Sequence, residues 1–258
     1  MKHPDRRPIA IAGASSGIGA ATAVLLAEHG YPVALGARRT QRVEELSEQI
    51  KAKGGEAFAA SLDVQDPASV NAFAAAAESA LGPIEGLVMS SGINSPGSAW
   101  EVGAERAAEI LDVNVIGAYR LLDAFAPGMV ERQRGDLVFI SSDSSTTHRP
   151  RTAAYNASKA GIDALVLTLH KELEGTGVRA SVVRPGPTMT EMGTGWPGDE
   201  LVKVFEDWTT FGLARHSQFL PAEALATAIW TIISAPRGTH FTEINVQPEA
   251  PVKKVDKQ

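Results

Sequence analysis

Residues 9–19 read Ile9-Ala10-Ile11-Ala12-Gly13-Ala14-Ser15-Ser16-Gly17-Ile18-Gly19, and the chain onward to His29 keeps the apolar spacing of a helix. A short apolar strand, a turn built on three glycines and a helix opening on the last of them form one unit. Glycine lets the backbone turn tightly and approach another group closely. Free N–H groups and the positive end of the helix dipole make such a turn a seat for an anion such as a pyrophosphate. The spacing is G-x-x-x-G-x-G rather than G-x-G-x-x-G, so the glycines alone identify little; their position directly after the first strand carries the reading.

The same alternation continues downstream. Apolar runs at 32–37, 57–62, 87–90, 136–141, 180–183 and 243–246 read as strands, joining 9–12. Stretches 17–29, 39–53, 67–80, 104–132, 153–174 and 221–233 carry helical spacing. Strands separated by helices imply right-handed crossovers and a sheet covered on both faces. The expectation is a single-domain, doubly wound, Rossmann-type α/β fold, with a mainly parallel seven-stranded sheet, over residues 8–248. Within it, 188–215 is the least regular part and reads as a lid over the substrate. The end of the chain, 249–258, reads as a loose tail.

The 258 residues are 44% hydrophobic and 21% charged, as in an ordinary globular domain. The net charge of -6, with no basic block, argues against a nucleic-acid partner. No apolar run is long enough to cross a membrane, and the polar residues 1–7 lead into too short an apolar stretch for a signal-peptide core, so a cytoplasmic protein is expected. The absence of cysteine excludes disulfides, thiolate catalysis and Cys-ligated zinc. No H-x-x-x-H pair or carboxylate cluster suggests a metal, and Glu44-Glu45 reads as a solvated helix face.

Tyr155 and Lys159 stand four residues apart in a helical stretch, on one face, with Cβ atoms roughly 5–6 Å apart. A free tyrosine, with a pKa of about 10, is a poor proton shuttle at neutral pH, and a nearby ammonium favours its phenolate. Ser142 lies thirteen residues before Tyr155, in Ile140-Ser141-Ser142 at the end of the fifth strand. Alternation along a strand sends Ser141 and Ser142 to opposite faces, so one of them can face a substrate.

With Ser142, Tyr155-x-x-x-Lys159 and the loop Gly13-x-x-x-Gly17-Ile18-Gly19, the chain resembles the short-chain dehydrogenase/reductase family, NADP-preferring type. The resemblance continues through Asp63-Val64 after the third strand, Ser91-Gly92 after the fourth, Asn114 in Asn114-Val-Ile-Gly117, and Pro185-Gly186-Pro-Thr188-Met-Thr190 after the sixth. It implies hydride transfer between nicotinamide and a carbonyl or alcohol carbon of a small molecule. Tyr155 would be the general acid/base, Ser142 would hydrogen-bond the reacting oxygen, Lys159 would hold the ribose and lower the tyrosine pKa, and Asn114 would hold a water that continues the relay. The cofactor would meet Gly13, Ser15, Ser16, Gly17, Ile18, Gly19, Asp63, Val64, Ser91, Gly92, Tyr155, Lys159, Pro185, Gly186, Thr188 and Thr190. In the family, the helix over 153–164 and the long helix before it pack against symmetry mates, which implies a homodimer or homotetramer.

Three positions depart from the family's pattern: Ala12 stands for threonine, Met89 for asparagine and Thr188 for valine or isoleucine. In the family the first two share hydrogen bonds between neighbouring strands. Replacing both partners of a buried hydrogen bond by apolar groups can be nearly neutral, whereas losing one strands the other, so Ala12 and Met89 read as a paired change.

Cofactor choice is read at the end of the second strand, where an acidic residue would accept from a ribose 2′-OH and repel a 2′-phosphate. The chain has Ala37-Arg38-Arg39 there. Arginine binds phosphate through paired, charge-assisted hydrogen bonds. NADP(H) is therefore expected, with Arg38 as the first candidate, Arg39 as either a second phosphate ligand or a solvated helix start, and Ser15 as a further donor.

A competing reading is an NADP(H)-binding redox sensor without turnover, against which stand the four retained residues Asn114, Ser142, Tyr155 and Lys159. A hydrolase built on Ser142 would need a G-x-S-x-G elbow that the sequence lacks. Met189, Met192, Trp196, Phe205, Trp208 and Phe211 read either as an apolar pocket for a hydrophobic carbonyl compound or as ordinary lid packing.

Overall fold

The computed structural model describes residues 6–214 and 216–252. Most of the expected loose tail, from 253 onward, lies outside the described residues, as do residues 1–5 and Arg215 at the end of the expected lid.

Seven strands form one all-parallel sheet: β1 Ile9–Ala12, β2 Val33–Ala37, β3 Ala57–Ser61, β4 Gly86–Met89, β5 Gly135–Ile140, β6 Val178–Pro185 and β7 Glu243–Val246. Their order is β3-β2-β1-β4-β5-β6-β7. β1, β2, β4 and β5 are buried throughout, and apart from Asp136 in β5 each is a continuous apolar run rather than an alternating one. Helices α1 Gly17–Glu28 and α2 Thr40–Ala52 cover one face together with α9 Ala222–Ser234, through Ala23, Leu26, Val43, Ile50, Leu225 and Ile229. The other face carries α3 Pro67–Leu81, α5 Gly117–Glu131 and α7 Ala153–Glu172, with α4 Ala104–Leu111 packed on α7. Strand order reverses between β1 and β4, and a crevice opens at the carboxyl ends of these strands, where ligands bind in open α/β sheets.

Three elements differ from the expected helices. The stretch 104–132 is not continuous: a π-turn at Asp112–Ile116 separates α4 from α5, an insertion that leaves the apolar period intact and so is invisible to it. Four serines and threonines form the short α6, Ser144–Thr147, below the length that periodicity detects. The late irregular stretch contains α8, Gly198–Thr210, in which Leu201, Val204, Phe205 and Trp208 do keep helical spacing. Glycines and a proline just before it hide that spacing, and Val204 is its only fully buried residue.

At the amino-terminal ends of the strands, buried Asp136 accepts hydrogen bonds from Arg7 and, at 2.6 Å, from Arg179. Arg7 also bonds Glu85 and the Ile233 carbonyl, tying the chain start, β5, β6 and the end of α9 into one ion cluster.

Ala12 and Met89 are register partners across β1 and β4, and both sit in the same apolar cluster. The paired change thus places two apolar side chains in neighbouring, dry positions. Met89→Asn alone should bury an amide without a partner and cost about 1–3 kcal/mol. In urea titrations the single variant is expected to unfold earlier than wild type, with Ala12→Thr in addition recovering part of the loss; a single variant as stable as wild type would show that the positions are not coupled.

Candidate active site

The turn after β1 is shaped by contacts that tolerate no side chain. Gly13 has φ +84, and a Cβ there would lie 2.7 Å from the Ser91 nitrogen. The Gly13 and Ala14 N–H groups both donate to the Gly36 carbonyl, at 2.9 and 3.2 Å, which ties the turn to β2. A Cβ on Gly19 would lie 2.3 Å from the Gly13 oxygen, so the first turn of α1 rests on the loop itself. Gly17, at φ +53, faces the Thr190 side chain, where a Cβ would meet carbon at 3.2 Å. The α1 amino terminus has no side-chain cap and no acidic residue in its first turn. Its orphan N–H groups and positive dipole end are left to a ligand. This uncapped, glycine-walled cradle between the β1 and β4 exits fits the pyrophosphate of a dinucleotide.

Asp63 begins a turn in which its Oδ1 accepts from the Gln65 N–H at 3.0 Å, and its own N–H donates to Ser69 Oγ at 2.9 Å. Val64 is buried against Gly117 of α5, and its carbonyl accepts from Arg120. Asn114, in the π-turn, clamps the chain after β4: its Oδ1 accepts from the Ile93 N–H at 2.8 Å, while its Nδ2 donates to the Ile93 carbonyl at 3.0 Å and to Ser158 Oγ at 2.9 Å. A Cβ on Gly92 would sit 3.4 Å from Asn114 Oδ1 and 3.7 Å from Lys159 Nζ.

Beyond β5 the two serines diverge. The Ser141 hydroxyl turns inward to the Lys159 carbonyl at 3.3 Å, whereas Ser142 Oγ accepts from the Ser144 N–H at 3.1 Å and stands beside Tyr155. Tyr155 and Lys159 lie on α7, the lysine Nζ 5.5 Å from the tyrosine ring centre and donating to the Ile140 carbonyl at 2.8 Å. Burial pushes the Tyr155 phenol up to about 12; the Ser142 hydroxyl and Arg149 pull it down, and Asp143 pushes it further up. Burial likewise pushes the Lys159 ammonium down to about 8, against the pull of Asp163. The expected lowering of the tyrosine pKa by Lys159 is thus absent in the protein alone. Desolvation of the phenol dominates, and the Lys159 ammonium donates to a backbone carbonyl.

On the other side of the loop, Arg39 rather than Arg38 reaches the glycine turn. Its Nε and Nη2 donate to Ser15 Oγ at 3.1 and 2.8 Å, and Nη2 also donates to Ser16 Oγ at 2.7 Å. Arg38 is exposed and, among the described residues, makes no hydrogen bond or ion pair. Pro185 and Gly186 close β6, Thr188 pairs with Leu220 in an isolated bridge, and the Thr188 hydroxyl donates to the Gly186 carbonyl at 2.8 Å.

The sequence matches the short chain dehydrogenase family over residues 7–200. The chain belongs to the short-chain dehydrogenase/reductase family. Among relatives of this chain, the glycine betaine reductase of Emericella nidulans is 35% identical over 246 residues, 92% of this chain but 18% of that much longer protein. An alcohol dehydrogenase of the archaeon Thermococcus sibiricus, solved with 5-hydroxy-NADP, superposes with a TM-score of 0.81 at 27% identity, covering 96% of this chain and 100% of that one. A short-chain dehydrogenase/reductase of Burkholderia phymatum, solved with NAD, gives 0.82 at 26% identity over 95% and 90% of the two chains. The fold is therefore shared by proteins that take either nicotinamide cofactor.

Sequence reasoning missed two groups beside this site. Asp143 and Arg149 form a largely buried ion pair at 2.6 Å next to Ser142 and Tyr155, and the Arg149 guanidinium lies 4.7 Å over the Trp208 ring, which fastens α8 to the site. Glu191 binds Arg39 and Arg42. Glu191 lies about 150 residues from its two partners, beyond any local pattern, and Asp143 and Arg149, six residues apart, flank the short α6, which carries no apolar period. Of the aromatic residues after β6, Trp208 is thus structural; Met189 and Phe211 are exposed, and Met192 reaches within 3.9 Å of the position a Gly92 Cβ would take.

The depressed Lys159 pKa fixes a stability trend. The ammonium titrates near 8 in the folded protein and near 10.5 when unfolded. Between those values the unfolded chain binds more protons, so stability from this group rises as pH increases from 8 to 10.5. Compared with Lys159→Met, wild type should gain up to about 3 kcal/mol over that window, at roughly 1.4 kcal/mol per unit. Parallel curves of unfolding free energy against pH for the two proteins would contradict the burial of this charge.

Proposed function

We propose that the protein is an NADP(H)-dependent oxidoreductase that interconverts a carbonyl compound and its alcohol. The grouping of Ser142, Tyr155 and Lys159 at the exit of β5, one strand from the uncapped glycine cradle, carries this reading.

Ser142 and Tyr155 present two hydroxyls to one point in the crevice, which suits a single substrate oxygen. With its pKa held high, Tyr155 is protonated at neutral pH and is poised to give its proton to a carbonyl oxygen that gains charge, while Ser142 donates a hydrogen bond to the same atom. A bound nicotinamide would supply or accept the hydride. Lys159, protonated at pH 7, would hold the ribose hydroxyls, and its positive charge favours the phenolate that Tyr155 becomes after giving up its proton. Asn114 spends its side chain on Ile93 and Ser158, so its part is to position the loop after β4 and the start of α7. Asp63 and Val64 would flank the adenine, and Pro185, Gly186, Thr188 and Thr190 the nicotinamide. Met189, Met192 and Phe211 are exposed on the segment after β6, with Met192 near Gly92, and suit a substrate with some hydrophobic bulk, for which 188–214 would be the lid. Exposed Leu111, Ile116, Tyr119 and Leu167 on the α4, α5 and α7 side give a homodimer or homotetramer an apolar face to bury.

Tyr155→Phe should leave the fold and cofactor affinity intact and lower turnover by about 10²- to 10⁴-fold. A variant that still oxidises NADPH at near wild-type rate with any accepted carbonyl compound would exclude Tyr155 as the acid.

For cofactor choice, Ala37 leaves the end of β2 without an acid, and Arg38 and Arg39 follow it. Wild type is expected to favour NADPH over NADH in kcat/KM, and Ala37→Asp combined with Arg38→Leu and Arg39→Leu to shift that ratio toward NADH. A wild-type preference for NADH, or an unmoved ratio, would show that the 2′-phosphate is read elsewhere.

A further inference from the structure

Glu191 follows Thr190, the residue that packs on Gly17, and its carboxylate reaches back over the glycine turn to α2. One oxygen accepts from Arg39 Nη1 and the other from Arg42 Nη1, both at 2.6 Å. Arg39 meanwhile keeps its remaining guanidinium nitrogens on Ser15 and Ser16. Hydrogen bonds from Arg39 first, then Arg42, push the Glu191 carboxyl down to about 2, so the group is an anion at any working pH. An anion held between two guanidinium groups directly beyond the second strand has the arrangement that a phosphate would take.

We infer that Glu191 is an internal stand-in for the cofactor's 2′-phosphate, a specificity-determining carboxylate that competes for Arg39 and Arg42 and must be displaced before the phosphate can bind. The inference rests on the proposed NADP(H) reading and deepens it. Three observations favour exchange over a permanent lock. The three side chains are each close to half exposed, at 45%, 47% and 48%. Exposed ion pairs are weak and salt-screened, so a dianion carrying more charge and more acceptor oxygens can replace a carboxylate there. Lastly, the unpaired Arg38 is adjacent and free to join an incoming phosphate. Displacement has a mechanical consequence. Glu191 is the ion-paired link between α2 and the segment that runs from β6 into α8, so a phosphate that takes its partners frees the start of that segment.

The test uses adenosine 2′,5′-bisphosphate and adenosine 5′-monophosphate as probes in calorimetric titrations, with amide hydrogen exchange at 188–196 as a second readout. Glu191→Gln keeps the shape and removes the charge. It should tighten the bisphosphate by about three- to tenfold, the scale of one or two exposed ion pairs, and leave the monophosphate unchanged. In wild type the bisphosphate should speed exchange at 188–196, and Glu191→Gln should show the faster exchange without ligand. Unchanged or weakened bisphosphate binding in Glu191→Gln, or equal tightening of both probes, would overturn the inference. Arg39→Leu separates the two levels. If it abolishes the preference for the bisphosphate while Glu191→Gln gains nothing, the cofactor reading stands and the stand-in role falls. If wild type itself binds both probes equally, both fall.

Discussion

The first turn of α1 lies on the carbonyl of Gly13, and the site is assembled around that contact. A methyl group at Gly19 would come within 2.3 Å of the oxygen, and one at Gly13 would strike the backbone of Ser90 and Ser91. Without these two side chains, the β1 exit, the β4 exit and the uncapped helix end share one small volume. The consequences propagate by direct contact. Ser91 and Gly92 run into Ile93, Ile93 is clamped at both backbone atoms by Asn114, and Asn114 reaches Ser158 on α7, beside Lys159. Asn114 makes that clamp from within the π-turn between α4 and α5, a local widening of the kind often found at functional sites.

Electrostatics differ at the two ends of this cradle. Near Tyr155 the groups are desolvated: Lys159 is only 5% exposed, is held by a backbone carbonyl and is reluctant to carry its charge. Interactions there are strong and little screened by salt, which suits proton transfer with fixed geometry. At Arg39 the charges are half exposed and mutually compensated, which suits exchange of one anion for another. Asp143 and Arg149 belong to the first kind, and through Trp208 they bind α8 to the Tyr155 end. The segment after β6 is therefore held along α8 by a buried ion pair stacked on Trp208 and by Arg151 on Glu200 and Asp207, and near its start by an exposed carboxylate.

Local order in the sequence determined the strands and most helices. Apolar runs and the 3.6-residue period need only nearest neighbours along the chain, and seven strands and the helices between them, though not α6 or α8, were legible from them. The same held for Tyr155 and Lys159, four residues apart on one helix, and for the opposed directions of Ser141 and Ser142, which follow from strand alternation and are seen in their different partners. The pairing of Ala12 with Met89 needed one further step, the knowledge that β1 and β4 are neighbours.

What the tertiary structure alone decided are quantities that depend on distance through space. A π-turn adds one residue without changing which positions are apolar, so the 104–132 stretch reads as one helix. Whether Arg38 or Arg39 lies on the glycine turn depends on how α2 leaves the sheet, and Ser15 and Ser16 select Arg39. The tyrosine pKa could not be read from a neighbouring lysine, because it is burial of the phenol that pushes it up. Glu191 meets Arg39 and Arg42 across about 150 residues of chain. Sequence periodicity records which face of an element is dry, but a contact between two solvent-facing side chains of distant elements leaves no period in either.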